Sequence, residues 1–551
     1  MPFTDLQKII LEKKGFDLNS KEEIEKFLNP NWERDLFDGA IIKDIEKGVD
    51  RIKKAIDKNE KIIIYGDYDA DGIPGAVIMH DFFKKINYKN FSVYIPHRHN
   101  EGYGLNKDAI KKFIEDGVSL LITVDIGITN IEEIKFAEEN NINVIVTDHH
   151  EPIISNLSEE EKDLKEKQII PPAFAVINTK QSDCEYEEKY LCGASTAWKV
   201  VNVFLNKYRD EFNVPEGWEK WLLDMVGIAT ISDLVPLKNE NRLFAKYGLL
   251  VLKKSKRPGL QKILANSKIN QKKINEDDIA FSIAPRINSA SRMADPVHAF
   301  YALLDNEEAV KYAEELEKYN TRRKEEIKIA NSSIDYQKFK NKKIILIGDE
   351  KWSPGIIGLI ASKVSEETGK ITFVWGMGED TKILKGSVRG IEDGESVVEI
   401  MTKAKNILEN FGGHEAAGGF SLKKNNLIEF EKFLDNYILK IDNDKKNIKE
   451  VENYINIKTS EINKNIFDEI KIFSPFGVGN EKIIFKVNVN NLKIKRFGKE
   501  LSHLEIFFDG VRGVEFFANE KIEEEIKIKK EFLVNLEWDN FRENVMLRLV
   551  K

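Results

Sequence analysis

Three carboxylates crowd one short stretch of this chain, Asp67, Asp69 and Asp71 in KIIIYGDYDADG from Lys61 to Gly72. Like charges so closely spaced raise one another's pKa values, so the arrangement is costly unless a cation neutralises it. Dense oxygen ligands suit Mg²⁺ or Mn²⁺ better than a soft metal. Taken alone, the stretch reads equally well as an acidic solvated turn with Asp71-Gly72 at its corner. Two further clusters weigh against that reading. SLLITV, from Ser119 to Val124, delivers Asp125 and then Gly127, and NVIVT, from Asn143 to Thr147, delivers Asp148, His149 and His150. A neutral imidazole ligates Mn²⁺ or Zn²⁺, and adjacent histidines can divide the work between metal and substrate. Asp233 lies in the apolar segment MVGIATISDLVPL, from Met225 to Leu237. A carboxylate buried there has to be paired or coordinated, and we read it as the last ligand.

Each cluster needs an element to hold it in place. The β-branched run Ile62, Ile63, Ile64 reads as a buried strand of a parallel sheet, and the carboxyl edge of such a sheet is where ligands sit. Alternating strand and helix patterns over 59–305 predict a mostly parallel α/β sheet with helices on both faces. The polar, helical segment 1–58 is expected to cap that sheet. Residues 306–341 are charged, free of Gly and Pro and poor in apolar positions, which predicts a connecting helix bridging domains through solvent. A smaller α/β pattern occupies 342–441 and ends in FGGHEAAGGF, from Phe411 to Phe420. Its glycines around His414 suggest an anion-binding loop that continues as a helix from Glu415. Over 442–551, short strands at 482–489, 492–496, 501–508, 513–517, 532–538 and 544–550 suggest a small β-barrel.

Composition narrows the class. Hydrophobic residues make up 42% of 551 positions, enough for several cores. With no run of about 18 apolar residues and no signal-peptide pattern, the chain is expected to be soluble and cytoplasmic. Two cysteines, Cys184 and Cys192, are too few for a disulfide framework. A net charge of −8 counts mildly against a nucleic-acid partner, although a local groove sets binding and cation-holding carboxylates inflate the acidic count.

Seven motifs in order resemble the DHH phosphoesterase superfamily and, within it, the RecJ single-strand-specific exonucleases. They are DYDADG at Asp67, EGYGL at Glu101, VDIGIT at Val124, TDHHEP at Thr147, SDLVPL at Ser232, PRINSASRM at Pro285 and GGHEAAGG at Gly412. One departure is Ile126, where the family usually has Asn. The resemblance implies a DHH catalytic domain, a DHH-associated domain and an OB-fold barrel for single-stranded nucleic acid. It also implies two Mn²⁺ or Mg²⁺ ions on Asp69, Asp71, Asp125, His149 and Asp233, with Asp67 supporting the turn or completing the shell and Asp125 placed to bridge. Water activated by the ions would attack phosphorus in line while His150 stabilises charge or donates a proton. Arg98, Arg286, Asn288, Ser387, Arg389 and His414 would grip the 5′ phosphate and nearby backbone, whereas Arg292 could equally be structural. In the barrel, Phe476, Phe497, Phe507, Phe516 and Phe517 are the available rings, most of them expected in the core, with Phe497 beside Lys495, Arg496 and Lys499 as the exposed candidate. The implied activity is 5′→3′ hydrolysis of single-stranded DNA in repair and recombination, by a monomer assisted by a helicase and a single-strand-binding protein. Two alternatives are a phosphodiesterase for short oligonucleotides or cyclic dinucleotides, and a catalytically silent replication scaffold.

Overall fold

A computed structural model describes residues 3–154, 168–378, 382–391, 394–437, 454–498, 501–516, 518, 520–539 and 542–550. The charged insertion 155–167, Lys499 and Phe517 lie outside the described residues. The chain divides into two compact units, one of residues 38–233 with 248–443 and one of residues 1–37, 234–247 and 444–551.

The first unit is built on a five-stranded parallel sheet. Its strands are β1 (Lys61–Gly66), β2 (Phe91–Tyr94), β3 (Val118–Val124), β4 (Asn143–Thr147) and β5 (Ala175–Ile177), in the order β2-β1-β3-β4-β5. Ile62, Ile64, Leu120, Leu121, Val144 and Ile145 are fully buried, as expected where helices cover both faces. The register is flush at the carboxyl edge, with Gly66 opposite Val124 and Val124 opposite Thr147. The ladder then runs one step past each strand. Asp67 N–H donates to Val124 O (3.1 Å), Asp125 N–H to Thr147 O (2.9 Å) and Asp148 N–H to Ile177 O (3.1 Å), which sets three aspartates in a row.

The strand–helix alternation expected through residue 305 stops at Ile177, and the described residues from 193 to 339 that are regular are helical. The bridging helix is also different from expectation. Ala309–Ser332 is not a solvent spacer, because Ala309, Ala313, Leu316 and Asn320 are buried where it packs on the helices Pro258–Asn266, Ala284–Met293 and Val297–Leu303, and Ala330 is buried in a cluster with Trp352, Ile356 and Ile360. Alanines at helical spacing let backbones approach closely, so a narrow stripe of small residues suffices where the apolar count looks too low.

A second five-stranded sheet in this unit runs Asn410–His414, Ala417–Lys423, Ile383–Arg389, Thr372–Met377, Ile345–Asp349. The glycine-rich stretch is a hairpin here rather than a loop leading into a helix. Gly386 lies under Phe420, where a Cβ would come within 2.1 Å of the ring, and at Gly413 (φ +148°) one would come within 2.3 Å of Ala417 O. These glycines serve close strand packing.

The other unit holds a seven-stranded sheet ordered Ile455–Asn456, Phe485–Asn488, Glu531–Asp539, Asn544–Leu549, Val511–Glu515, His503–Phe508, Leu492–Phe497. Its core includes Phe473, Phe485, Ile506, Phe508 and Leu547 together with Ile10, Leu11, Ile24 and Leu28. The expected cap is therefore divided. The helix Ile45–Asp57 packs on the parallel sheet, whereas residues 1–37 complete the barrel's core.

Candidate active site and metal centre

The carboxyl edge of the parallel sheet gathers most of the residues singled out from the sequence. After β1 the chain turns so that Asp69 accepts from Asp71 N–H (2.8 Å) and Gly72 N–H (3.0 Å), which starts the helix Gly72–Lys85. Gly72 is required here, since a Cβ would approach Asp67 to 2.6 Å. Asp71 in turn accepts from Gly193 N–H (2.6 Å) and Ala194 N–H (2.7 Å), the first turn of the helix Gly193–Tyr208. Asp125 is held at φ +64°, a left-handed conformation uncommon outside glycine, and points its carboxylate at the same point.

His149 Nε2 is the centre of the arrangement. It lies 3.1 Å from Asp125 Oδ1 and 3.7 Å from both Asp71 Oδ2 and Asp233 Oδ2. Ligand-capable atoms fall into three sets, Asp67 with Asp69 and Asp125, Asp71 with His149 and Asp233, and Asp125 with His149 and His150, each set within 4.8 Å. Asp67 Oδ1, Asp125 Oδ1 and His149 Nε2 are buried without a hydrogen-bond partner. Buried lone-pair acceptors that close together are satisfied by a cation, and five carboxylates with one imidazole form a hard, oxygen-rich set suited to Mn²⁺ or Mg²⁺.

The electrostatics agree. Burial, followed by repulsion from the other carboxylates, pushes Asp71 up to about 6 and Asp233 up to about 8, and raises Asp67 and Asp125 well above the ordinary range. Burial and the neighbouring His150 push His149 down to about 3, leaving it a neutral ligand. His150 is opposite in character. Burial opposes its charge, but its 2.8 Å hydrogen bond to Asp148 holds it up at about 9. Asp148 also accepts from the N–H groups of Ile128, His149 and His150. It anchors the histidine pair from beneath.

Beside Asp67 and Asp69 lies a nest of guanidinium groups. Arg292 is pushed down to about 9 by burial and by Arg98, Arg323 and Arg389, with Asp69 acting the other way. Arg98 stacks over the Tyr68 ring at 5.1 Å, and Arg389 Nη1 donates to Ser387 Oγ at 3.1 Å. His414 is exposed and shares the register level of Arg389, with Ala417 paired between them. Two of the residues expected at the 5′ phosphate have partners within the fold. Arg286 is buried against Glu317 (2.5 and 3.2 Å) and Ser282 O, so it is neutralised within the fold. Asn288 uses Oδ1 to accept from Ala70 N–H (2.9 Å), so it braces the aspartate turn. Arg292, six residues after Arg286 in the same motif, is the member that lies in the guanidinium nest. Sequence reasoning also passed over Tyr103, whose hydroxyl is 3.4 Å from the His150 ring, although EGYGL contains it. On the barrel, Phe497, His503 and Phe516 form an edge-to-face row with Arg548 over the last ring, while Phe476 packs against the core.

Comparison with known proteins follows the same division. Residues 61–230 match the DHH family N-terminal domain, 337–440 the DHHA1 domain and 455–550 the RecJ OB domain. The single-stranded-DNA-specific exonuclease RecJ of Salmonella typhimurium is 30% identical over 405 residues, 70% of this chain and 68% of that protein. The chain belongs to the RecJ family. The Bacillus subtilis RecJ is 33% identical over 513 residues, covering 91% of this chain, and the chain spans 61% of that relative's length. A crystal structure of exonuclease RecJ bound to manganese superposes with a TM-score of 0.60 at 28% identity, over 72% of this chain and 94% of that one. Among the RecJ motifs present, Ile126 is fully buried in the apolar core, so the departure at this position removes a polar group without exposing one.

Proposed function

We propose that this chain is a metal-dependent 5′→3′ exonuclease hydrolysing phosphodiester bonds of single-stranded DNA, acting in repair and recombination. The observation that carries the reading is the juxtaposition of the carboxylate–imidazole set with the arginine nest, since Asp67 and Asp69 each lie within electrostatic reach of an arginine. Mn²⁺ or Mg²⁺ held by Asp67, Asp69, Asp71, Asp125, His149 and Asp233 supplies, when bound, Lewis acidity and an activated water for in-line attack on phosphorus.

The chain's own groups do the rest. Arg98, Arg292 and Arg389, with Ser387 and His414, anchor the 5′ phosphate, and guanidinium forks suit its oxygens. His150, charged through Asp148, donates a hydrogen bond to the scissile phosphate, where negative charge develops, or a proton to the departing 3′ oxygen. Tyr103 orients the His150 ring. The barrel's row of Phe497, His503 and Phe516 stacks bases without sequence preference. Partners on this reading are a helicase that opens duplex and a single-strand-binding protein, with the enzyme itself a monomer.

The test is a digestion time course in Mn²⁺ with a 5′-phosphorylated single strand of about 30 nucleotides, labelled at its 3′ end, beside a dinucleotide. Progressive shortening from the 5′ end is the expected result. Consumption of the dinucleotide alone would replace the reading with a small-substrate phosphodiesterase, and tight binding without cleavage would replace it with a scaffold.

A further inference from the structure

The active site has a cation that none of the roles above employs. Lys180 follows β5, and its backbone is tied to the histidine pair. Its N–H donates to Asn178 Oδ1 (2.8 Å), and Asn178 Nδ2 donates to the carbonyl of His150 (2.9 Å). The side chain is only 16% exposed. Its ammonium lies 3.0 Å from the carboxylate of Glu151, the residue after His150, and 5.5 Å from the ring centroid of Tyr190. Tyr190 is 54% exposed and precedes Leu191, whose backbone is hydrogen-bonded to His149. Lys180, Glu151 and Tyr190 thus form one rim of the metal centre.

The rim and the arginines act on different members of the centre. The charge of Lys180 reaches His149 and Asp233, two members of one ligand set, whereas Arg98 and Arg292 gather at Asp67 and Asp69 in another. The partner Glu151 is 64% exposed, and an ion pair to so solvated a carboxylate contributes little to stability. A lysine ammonium held at a metal-centre rim by a displaceable carboxylate is a site for an anion, and the anion available beyond the scissile bond is the next phosphate of the strand.

Resting on the exonuclease reading, we propose that Lys180 binds the phosphate one nucleotide to the 3′ side of the scissile bond, exchanging Glu151 for substrate, with the exposed Tyr190 ring beside the adjoining base. The strand then runs from the arginines at its 5′ end, across Asp125 and His149, to Lys180.

A 5′-phosphorylated dinucleotide lacks that phosphate and a trinucleotide has it. Steady-state kinetics in Mn²⁺ on wild type, Lys180→Ala and Lys180→Arg separate the two. The expected result is that Lys180→Ala raises KM for the trinucleotide about tenfold relative to KM for the dinucleotide, with kcat changed far less, and that Lys180→Arg restores most of the difference. Equal changes on both substrates, or no change on either, would overturn the assignment. If the wild type cleaves neither of these nor a strand of about 30 nucleotides, the exonuclease reading fails, and fluorescence anisotropy with a 3′-labelled trinucleotide still judges the lysine. Equal affinity of wild type and Lys180→Ala would dismiss it.

Discussion

Gly193 offers the sharpest check on the geometry of the metal centre. It opens the helix Gly193–Tyr208, gives its N–H to Asp71 at 2.6 Å, and sits directly against Asp125. A Cβ at this position would stand 2.5 Å from Asp125 Cβ and 2.7 Å from its Cγ and Oδ1. Ordinary carbon contacts need about 3.5 Å, so Gly193→Ala forces a movement of roughly 1 Å. The helix start cannot easily yield, because Gly193 and Ala194 are both bonded to Asp71, and Asp125 is confined by its positive φ. Whichever side gives way, two ligands separate by about 1 Å. A misplacement of that size costs on the order of 10²-fold in rate, or about 2.7 kcal/mol of barrier. The assay is Mn²⁺-dependent hydrolysis of a 3′-labelled single strand over a titration of the ion, with thermal unfolding to confirm that the variant is folded. The expected outcome is a loss of about 100-fold in kcat and a Mn²⁺ midpoint shifted to higher concentration. A folded Gly193→Ala protein with wild-type kcat and Mn²⁺ midpoint would refute the placement of Asp125 between the ligand sets.

Three further outcomes are expected. Because Asp233 and Asp71 sit at about 8 and about 6, Mn²⁺ displaces protons at pH 7; calorimetry in two buffers of different ionisation heat should show proton release and rising affinity from pH 6 to 8, and the chelated protein should lose stability as pH rises through the same window. Arg286→Gln should lower stability by about 1–3 kcal/mol, through its lost bond to Glu317, at nearly constant KM, whereas Arg292→Gln should raise KM for 5′-phosphorylated strands at least tenfold over 5′-hydroxyl strands; the reverse pattern would exchange their roles. Arg257 is buried between Asp81 (2.7 Å) and Asp224 (2.8 Å), so Arg257→Met should cost about 3–5 kcal/mol by chemical denaturation. Burial raises the Asp81 carboxyl but Arg257 holds it below 3.8, so in the wild type this stability is present above about pH 4 and is lost on further acidification; in the variant the unpaired aspartate should make acidification favourable instead.

Local patterns carried the metal centre. The runs ending in Asp67, Asp125 and Asp148 are short, β-branched and apolar, so strand identity and the exit of each carboxylate at one edge follow from burial and chain direction alone. The barrel strands were legible for the same reason, as alternation is a property of neighbouring residues. What the sequence left open was which distant partner certain charged and apolar residues take. Arg286 and Arg292 belong to one motif and have one chemistry, and only the packing of the helix Ala309–Ser332, which brings Glu317 to the first, tells their surroundings apart. Residues 1–37 are amphipathic in either context, and only the three-dimensional core shows that Ile10, Leu11, Ile24 and Leu28 complete the barrel. Sequence alone determined which side chains can hold a cation and which local elements present them, because those depend on residue type and periodicity. Tertiary structure alone decided which charges neutralise one another, because an ion pair depends on distances between segments that no local pattern encodes.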